Sequence, residues 1–135
     1  MSRARFAVLA KRPSASVLVA CEGRDILGYA ILLARRSVPS VRLYSIAVAP
    51  ESTGRGVGRR LLAEIEAAAL RRRARRLHLE VRADNPKAIR FYERAGYALV
   101  GRRPDYYADG MTALLYSRDL PQRMRRRAPP LRRAA

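Results

Sequence analysis

Between Arg42 and Ala69 the chain reads RLYSIAVAPESTGRGVGRRLLAEIEAAA, and no other stretch restricts the fold so much. Residues 42–49 are rich in β-branched and aromatic types, and Pro50 ends the run, as expected of a strand. Gly54, Gly56 and Gly58 then alternate with Thr53, Arg55 and Val57. From Arg59 onward, Leu61, Leu62, Ile65 and Ala69 recur at three- and four-residue spacing, which marks one face of an amphipathic helix. Glycines at the mouth of a helix let backbone approach a ligand closely. The first N–H groups of the helix have no internal partner, and the macrodipole adds about half a positive charge there. Strand, glycine loop and helix together make a cradle for phosphate. Taken alone, the glycines fit an ordinary turn before a helix equally well.

The known phosphate loops narrow the choice. A nucleoside-triphosphate loop requires Lys and Ser or Thr after its last glycine, whereas Arg59 and Arg60 follow Gly58. A dinucleotide fingerprint requires a small residue three positions after Gly56, where Arg59 stands.

The 135 residues suit one domain, placed here at 1–120, with a single core. One cysteine, Cys21, excludes an internal disulfide, fits a reducing, cytoplasmic setting and reads as a small filler. No apolar run reaches membrane-spanning length, and no signal peptide is read at the start. A second histidine to accompany His78 is lacking, so no metal site is expected. The balance of 29 basic against 11 acidic residues gives a net charge of +18. Such a field attracts polyanions, among them RNA, ribosomes, acidic peptides and phosphorylated cofactors. A coding preference for arginine on a solvated surface accounts for the same excess without a dedicated partner.

Ser2 as N-cap and the spacing of Phe6, Leu9 and Ala10 predict a short helix over residues 3–12, stopped by Pro13. Residues 16–21 and 26–35 read as a hairpin turning at Glu22-Gly23-Arg24-Asp25, and 41–49 as the central strand. A helix over 56–75 ends in arginines that complement its dipole. Residues 77–82 alternate, with Leu77, Leu79 and Val81 on one face and His78, Glu80 and Arg82 on the other. Asn85 is the N-cap and Pro86 the first residue of a second helix, which carries Ala88, Ile89, Tyr92 and Ala95 on one face and ends at Gly96. Residues 97–103 and 111–119 are the last strands, and 121–135 reads as a disordered basic tail.

The loop resembles the acetyl-CoA loop of the GNAT N-acetyltransferase family, whose usual form is Arg/Gln-x-x-Gly-x-Gly/Ala. The frame falls on Thr53 to Gly58, with Thr53 where the family has Arg or Gln. A second block, LEVRADNPKAIRFYERAGY at 79–97, is similar to the RimI-like branch, which acetylates the N-terminal alanine of a ribosomal protein. The resemblance covers about residues 3–120 and implies an α/β (α+β) fold, a mixed central sheet flanked by helices. Family members usually begin with an additional strand and helix, which are not identified here; the resemblance therefore implies either a misplaced start or a shortened member, and without those elements an outer strand is left uncovered.

It further implies acetyl-CoA as cosubstrate and direct transfer to an amine without a covalent enzyme intermediate. By motif position, Glu80 matches the general base and Tyr92 the general acid for the departing sulfur. Asn85 matches a residue at the pantetheine arm, and the backbone of Ile46, Ala47 and Val48 would bind that arm. The N–H groups of Arg55, Gly56, Val57, Gly58, Arg59 and Arg60 would take the pyrophosphate. The residues also admit plainer roles: Glu80 pairing with Arg82 or a helix arginine, Tyr92 as core, Asn85 as a cap, and Tyr106 and Tyr107 as loop packing.

An α-amine, with an ordinary pKa near 8, is neutral at pH 7 about a hundredfold more often than a lysine near 10.4. One modest base thus suits a protein or peptide N-terminus, and a basic protein repels polyamines. The alternative from another class is a catalytically weak CoA-binding module, or one that contacts RNA or the ribosome through the basic tail.

Overall fold

The computed structural model describes residues 4–35 and 39–121. Seven strands form one sheet: β1 (Arg5–Arg12), β2 (Ala15–Glu22), β3 (Asp25–Leu33), β4 (Ser40–Val48), β5 (Arg76–Arg82), β6 (Ala98–Arg103) and β7 (Ala113–Asp119). Their order is β1-β2-β3-β4-β5-β7-β6. Helix α1 (Val57–Arg71) connects β4 to β5, and α2 (Pro86–Arg94) follows β5. All neighbours run antiparallel except β4 and β5, the parallel pair that α1 bridges.

The segment expected as a helix over 3–12 is instead strand β1, paired with β2 from Arg5↔Cys21 to Arg12↔Ala15. A lone ten-residue helix is marginal in water, whereas the free edge of β2 offers a full ladder of backbone partners. A bulge between Val8 and Ala10 turns Phe6 and Ala10 inward while Leu9 is exposed. The outer strand is therefore β1, not β2. The basic tail, from residue 122 on, lies outside the described residues.

The alternation in β5 holds, with Leu77, Leu79 and Val81 buried against the helices. Those three join Leu61, Leu62 and Ile65 of α1 and Tyr92 of α2 in a single core on one face of the sheet. His78, Glu80 and Arg82 face the opposite side. At the C-terminal end of α1, Arg72 clamps the β1–β2 turn. Its Nη1 donates to the Pro13 carbonyl at 2.9 Å, and its Nη2 reaches the Arg12 and Ala15 carbonyls and Ser16 Oγ at 2.6–2.9 Å.

Gly28 sets how closely α1 lies on the sheet. A Cβ there would sit 2.6 Å from the Ala47 carbonyl oxygen and 3.1 Å from Leu61 Cδ1. The first contact is with backbone, which cannot rotate away. Gly28→Ala is accordingly expected to destabilise the fold by about 1–3 kcal/mol, read as a lower denaturant midpoint with an unchanged slope.

Candidate active site

β4 and β5 pair at only three positions, Ser40↔Arg76, Val41↔Leu77 and Arg42↔His78. Beyond them β4 continues to Val48 and β5 to Arg82 without touching, so the sheet opens between its two halves. The facing edges carry backbone groups with no strand partner, which in a buried setting demand hydrogen bonds from elsewhere.

On the helix side of this gap lies a cavity of about 270 Å3, lined by Ile46, Val48, Gly58, Asn85, Phe91 and Tyr92 among others. It gathers five of the residues singled out from sequence; Ala47 is not in its lining. Asn85 caps α2, its Oδ1 accepting from the Ala88 N–H at 3.1 Å, which leaves its amide nitrogen free to serve the cavity. Gly58 brings α1 against α2, a Cβ at that position meeting Phe91 at 3.6 Å. Phe91 escaped sequence reasoning, since a single aromatic beside Tyr92 reads as core packing.

Tyr92 is distinguished by what its hydroxyl lacks. Three core tyrosines, Tyr92, Tyr97 and Tyr116, are 7%, 3% and 2% exposed. Tyr97 donates to Glu66 at 2.7 Å and Tyr116 to Glu93 at 2.9 Å. The Tyr92 hydroxyl has no such partner among the described residues, and its residue lines the cavity. Burial alone pushes its pKa up to about 12, so it stays protonated at physiological pH. For Tyr97 burial, and then the bond to Glu66, raise it as well.

At the start of α1, Gly56 is the N-cap with φ 80°, no side-chain cap serves the helix, and its first turn has no acidic residue. Space above Gly54 and Gly56 is open, with nothing within 4 Å of a Cβ built on either. Arg55, Gly56, Val57 and Arg60 line a cavity of about 290 Å3 here. Arg55 is held by Glu22 at 3.3 Å, and Arg60 by Glu64 at 3.1 Å with its guanidinium 4.4 Å over the Phe6 ring. Uncapped N–H groups, open space and flanking cations fit a pyrophosphate. Arg59 is exposed at this helix start and lines neither cavity.

Glu80 lies across the sheet from Tyr92, in a cavity of about 430 Å3 with Arg35, Ser40, Arg42, His78, Arg103 and Tyr106. Its Oε1 accepts from Arg42 Nε at 2.8 Å, and Arg42 Nη2 lies 2.8 Å from the same oxygen as an ion pair. Neither pairing expected from sequence occurs. Arg82 is taken by Asp84 and Asp109 at 3.1 and 2.7 Å, and Arg42, on the adjacent strand, reaches Glu80 instead. The register Arg42↔His78 places the two side by side, a non-local fact that spacing along the chain does not reveal. His78 Nδ1 shares a hydrogen with Ser40 Oγ at 2.8 Å, and burial holds its imidazole below its ordinary pKa. Tyr106 lines the cavity, whereas Tyr107 packs under Arg82, 5.0 Å from its ring centre.

Residues 2–97 match the family model for the acetyltransferase (GNAT) family. The chain belongs to that family. It is 38% identical over 100 residues to the N-alpha-acetyltransferase RimI of Mycobacterium tuberculosis, covering 72% of this chain and 61% of that protein. Against an uncharacterized protein of Mycobacterium leprae it is 40% identical over 97 residues, 70% of this chain but 26% of that protein. The chain thus spans less than two thirds of the length of each of these curated relatives. The fold also superposes on the ribosomal-protein alanine N-acetyltransferase from Escherichia coli with a TM-score of 0.72 at 27% identity, covering 82% of this chain and 72% of that one. The acyl donor of the family is acetyl-CoA. No described helix is long and apolar enough to cross a membrane, and no group of three or more metal-binding side chains occurs among the described residues.

The contrast between the tyrosines is testable without substrate. Tyr97→Phe removes the hydrogen bond to Glu66, which keeps its ion pair with Arg118 at 3.0 Å, and is expected to cost about 1 kcal/mol. Tyr92→Phe removes a hydroxyl that bonds nothing and is expected to change unfolding free energy by no more than a few tenths of that figure.

Proposed function

We propose that this chain transfers the acetyl group of acetyl-CoA directly to the α-amine of a peptide or protein, with Glu80 and Tyr92 managing the protons. The observation that carries the reading is the unpartnered Tyr92 hydroxyl on one side of the parted sheet, with Glu80 on the other. An amine entering from the Glu80 side and a thioester lying on the helix side would meet in the gap. The printed names of two relatives, an N-alpha-acetyltransferase and a ribosomal-protein alanine N-acetyltransferase, support an α-amine acceptor.

Acetyl-CoA supplies an activated carbonyl and a sulfur leaving group. The N–H groups of Gly56, Val57, Gly58 and Arg59 would hold its pyrophosphate, those of Arg55 and Arg60 being already bonded to the Ser52 and Gly56 carbonyls at 3.2 and 3.0 Å, and the free edge of β4 at Ile46–Val48 its pantetheine arm. Asn85 keeps its side-chain nitrogen available to the same arm. Glu80 Oε2, the oxygen that Arg42 does not engage, would take the proton lost by the amine as the nitrogen–carbon bond forms. Tyr92 would donate a hydrogen bond to the sulfur as the carbon–sulfur bond breaks. An ordinary cysteine thiol titrates near 8.5, and Tyr92 near 12, so complete transfer of the tyrosine proton runs uphill by about 3–4 units. Tyr92 therefore acts chiefly by stabilising the developing negative charge.

Two measurements test the assignment. CoA at a hundred times its dissociation constant should stabilise the fold by about 2.7 kcal/mol, and Gly56→Asp should abolish that shift by setting a carboxylate where phosphate belongs. An unmoved melting temperature in the parent protein would refute the cofactor site. With a peptide acceptor, Tyr92→Phe should slow thiol release by about 10²-fold or more while leaving CoA affinity intact. Glu80→Gln should also slow it, with a defect that shrinks as pH rises through the α-amine pKa near 8. A constant fractional loss at every pH would make Glu80 a structural residue.

A further inference from the structure

Among the described residues, Arg42, Arg55, Arg60, Arg76, Arg82 and Arg118 each have a carboxylate partner. Arg35 and Arg103 have none, and both line the cavity of about 430 Å3 that contains Glu80. Side chains elsewhere in the chain cannot supply one, because all 11 acidic residues fall within the described segments. The lining therefore sets three guanidiniums, from Arg35, Arg42 and Arg103, against the one carboxylate of Glu80. Arg42 and Glu80 offset each other through their 2.8 Å contact. His78, held neutral by burial, adds no charge at physiological pH. Two cations thus line a concave site with nothing of opposite sign to meet them.

We propose that Arg35 and Arg103 bind a carboxylate of the acceptor, so that the preferred substrate is a primary amine bearing an acidic group close to the reacting nitrogen. The inference rests on the amine-acetylation reading of the same site. With the amine beside Glu80, the acidic group reaches the remaining guanidiniums of the same cavity, whose planar forks match a carboxylate. Tyr106, which accepts from Arg42 Nη2 at 3.4 Å, forms part of the wall of that cavity. Two sources supply this chemistry: an Asp or Glu side chain at the second position of a peptide, or the α-carboxylate of a free amino acid. The overall charge of +18 favours any anion and weakens with salt. Arg35 and Arg103 instead distinguish Asp from Asn, which have the same shape, at fixed ionic strength.

The test measures binding at saturating CoA of two peptides with free N-termini, Ala-Asp and Ala-Asn at the first two positions, each labelled at the C-terminus. The Asp peptide is expected to bind about tenfold more tightly. Arg35→Ala combined with Arg103→Ala should bring the two to parity, leaving the Asn peptide and the CoA-induced thermal shift unchanged. The corresponding double lysine variant, which keeps the charge, should retain part of the preference. Competition by free alanine and aspartate identifies the source, since only an α-carboxylate site admits alanine as well. Equal affinity for the two peptides, or equal loss of both in the double alanine variant, overturns the proposal. Thiol release from acetyl-CoA separates the two readings. A charge preference in binding with no release sinks the transfer reading alone, whereas equal release from both peptides sinks the carboxylate site alone.

Discussion

The structure depends on a pairing that stops. Parallel strands β4 and β5 share three positions and then separate, and each arm of the opening carries its own helix, α1 after β4 and α2 after β5. The core under both arms is continuous, so the gap is held open by packing rather than left by its absence. At its vertex the Arg42–Glu80 ion pair joins the two arms, with Glu80 only 16% exposed. Gly58 against Phe91 is where the helices meet on the opposite face. A side chain on either face can therefore approach the same point between the strands, which a closed sheet would forbid.

Much of this was legible in the chain. The alternation of Leu77, Leu79 and Val81 placed β5 correctly, because a half-buried strand has one physical period. Asn85 and Pro86 marked the start of α2, because capping is local chemistry; the observed cap bond is the one expected. The first segment was misread because Phe6, Leu9 and Ala10 satisfy helical spacing, while the decisive factor was an unpaired edge elsewhere in the fold. The site was legible in membership more than in arrangement. Glu80 and Tyr92 stand on opposite faces of the sheet, and Arg42, Arg35 and Arg103 come together only through strand order. No local pattern encodes that order.

The arginine excess resolves into separate roles. Exposed pairs such as Arg76–Asp119 at 3.0 Å contribute little to stability. Arg82, by contrast, ties the segment before β7 to the end of β5 through Asp84 and Asp109. Arg118 of β7 joins Glu66 of α1, which also accepts from Tyr97 in the α2–β6 connection, so three parts of the chain converge on one carboxylate. A net charge read from composition treats these residues as a uniform field, whereas the fold gives Arg42, Arg72, Arg82 and Arg118 each a different set of partners.

The Arg72 clamp has a consequence at the far end of its helix. It fastens the C-terminus of α1 to four oxygens around the β1–β2 turn, and a guanidinium does not lose its charge at any pH a protein tolerates. Gly28 and Gly58 seat the body and the first turn of the same helix. With both ends fixed, the amides at Gly56 and beyond are preorganised. Their ordering entropy is met when the chain folds rather than when an anion arrives, which leaves more of each hydrogen bond available as affinity.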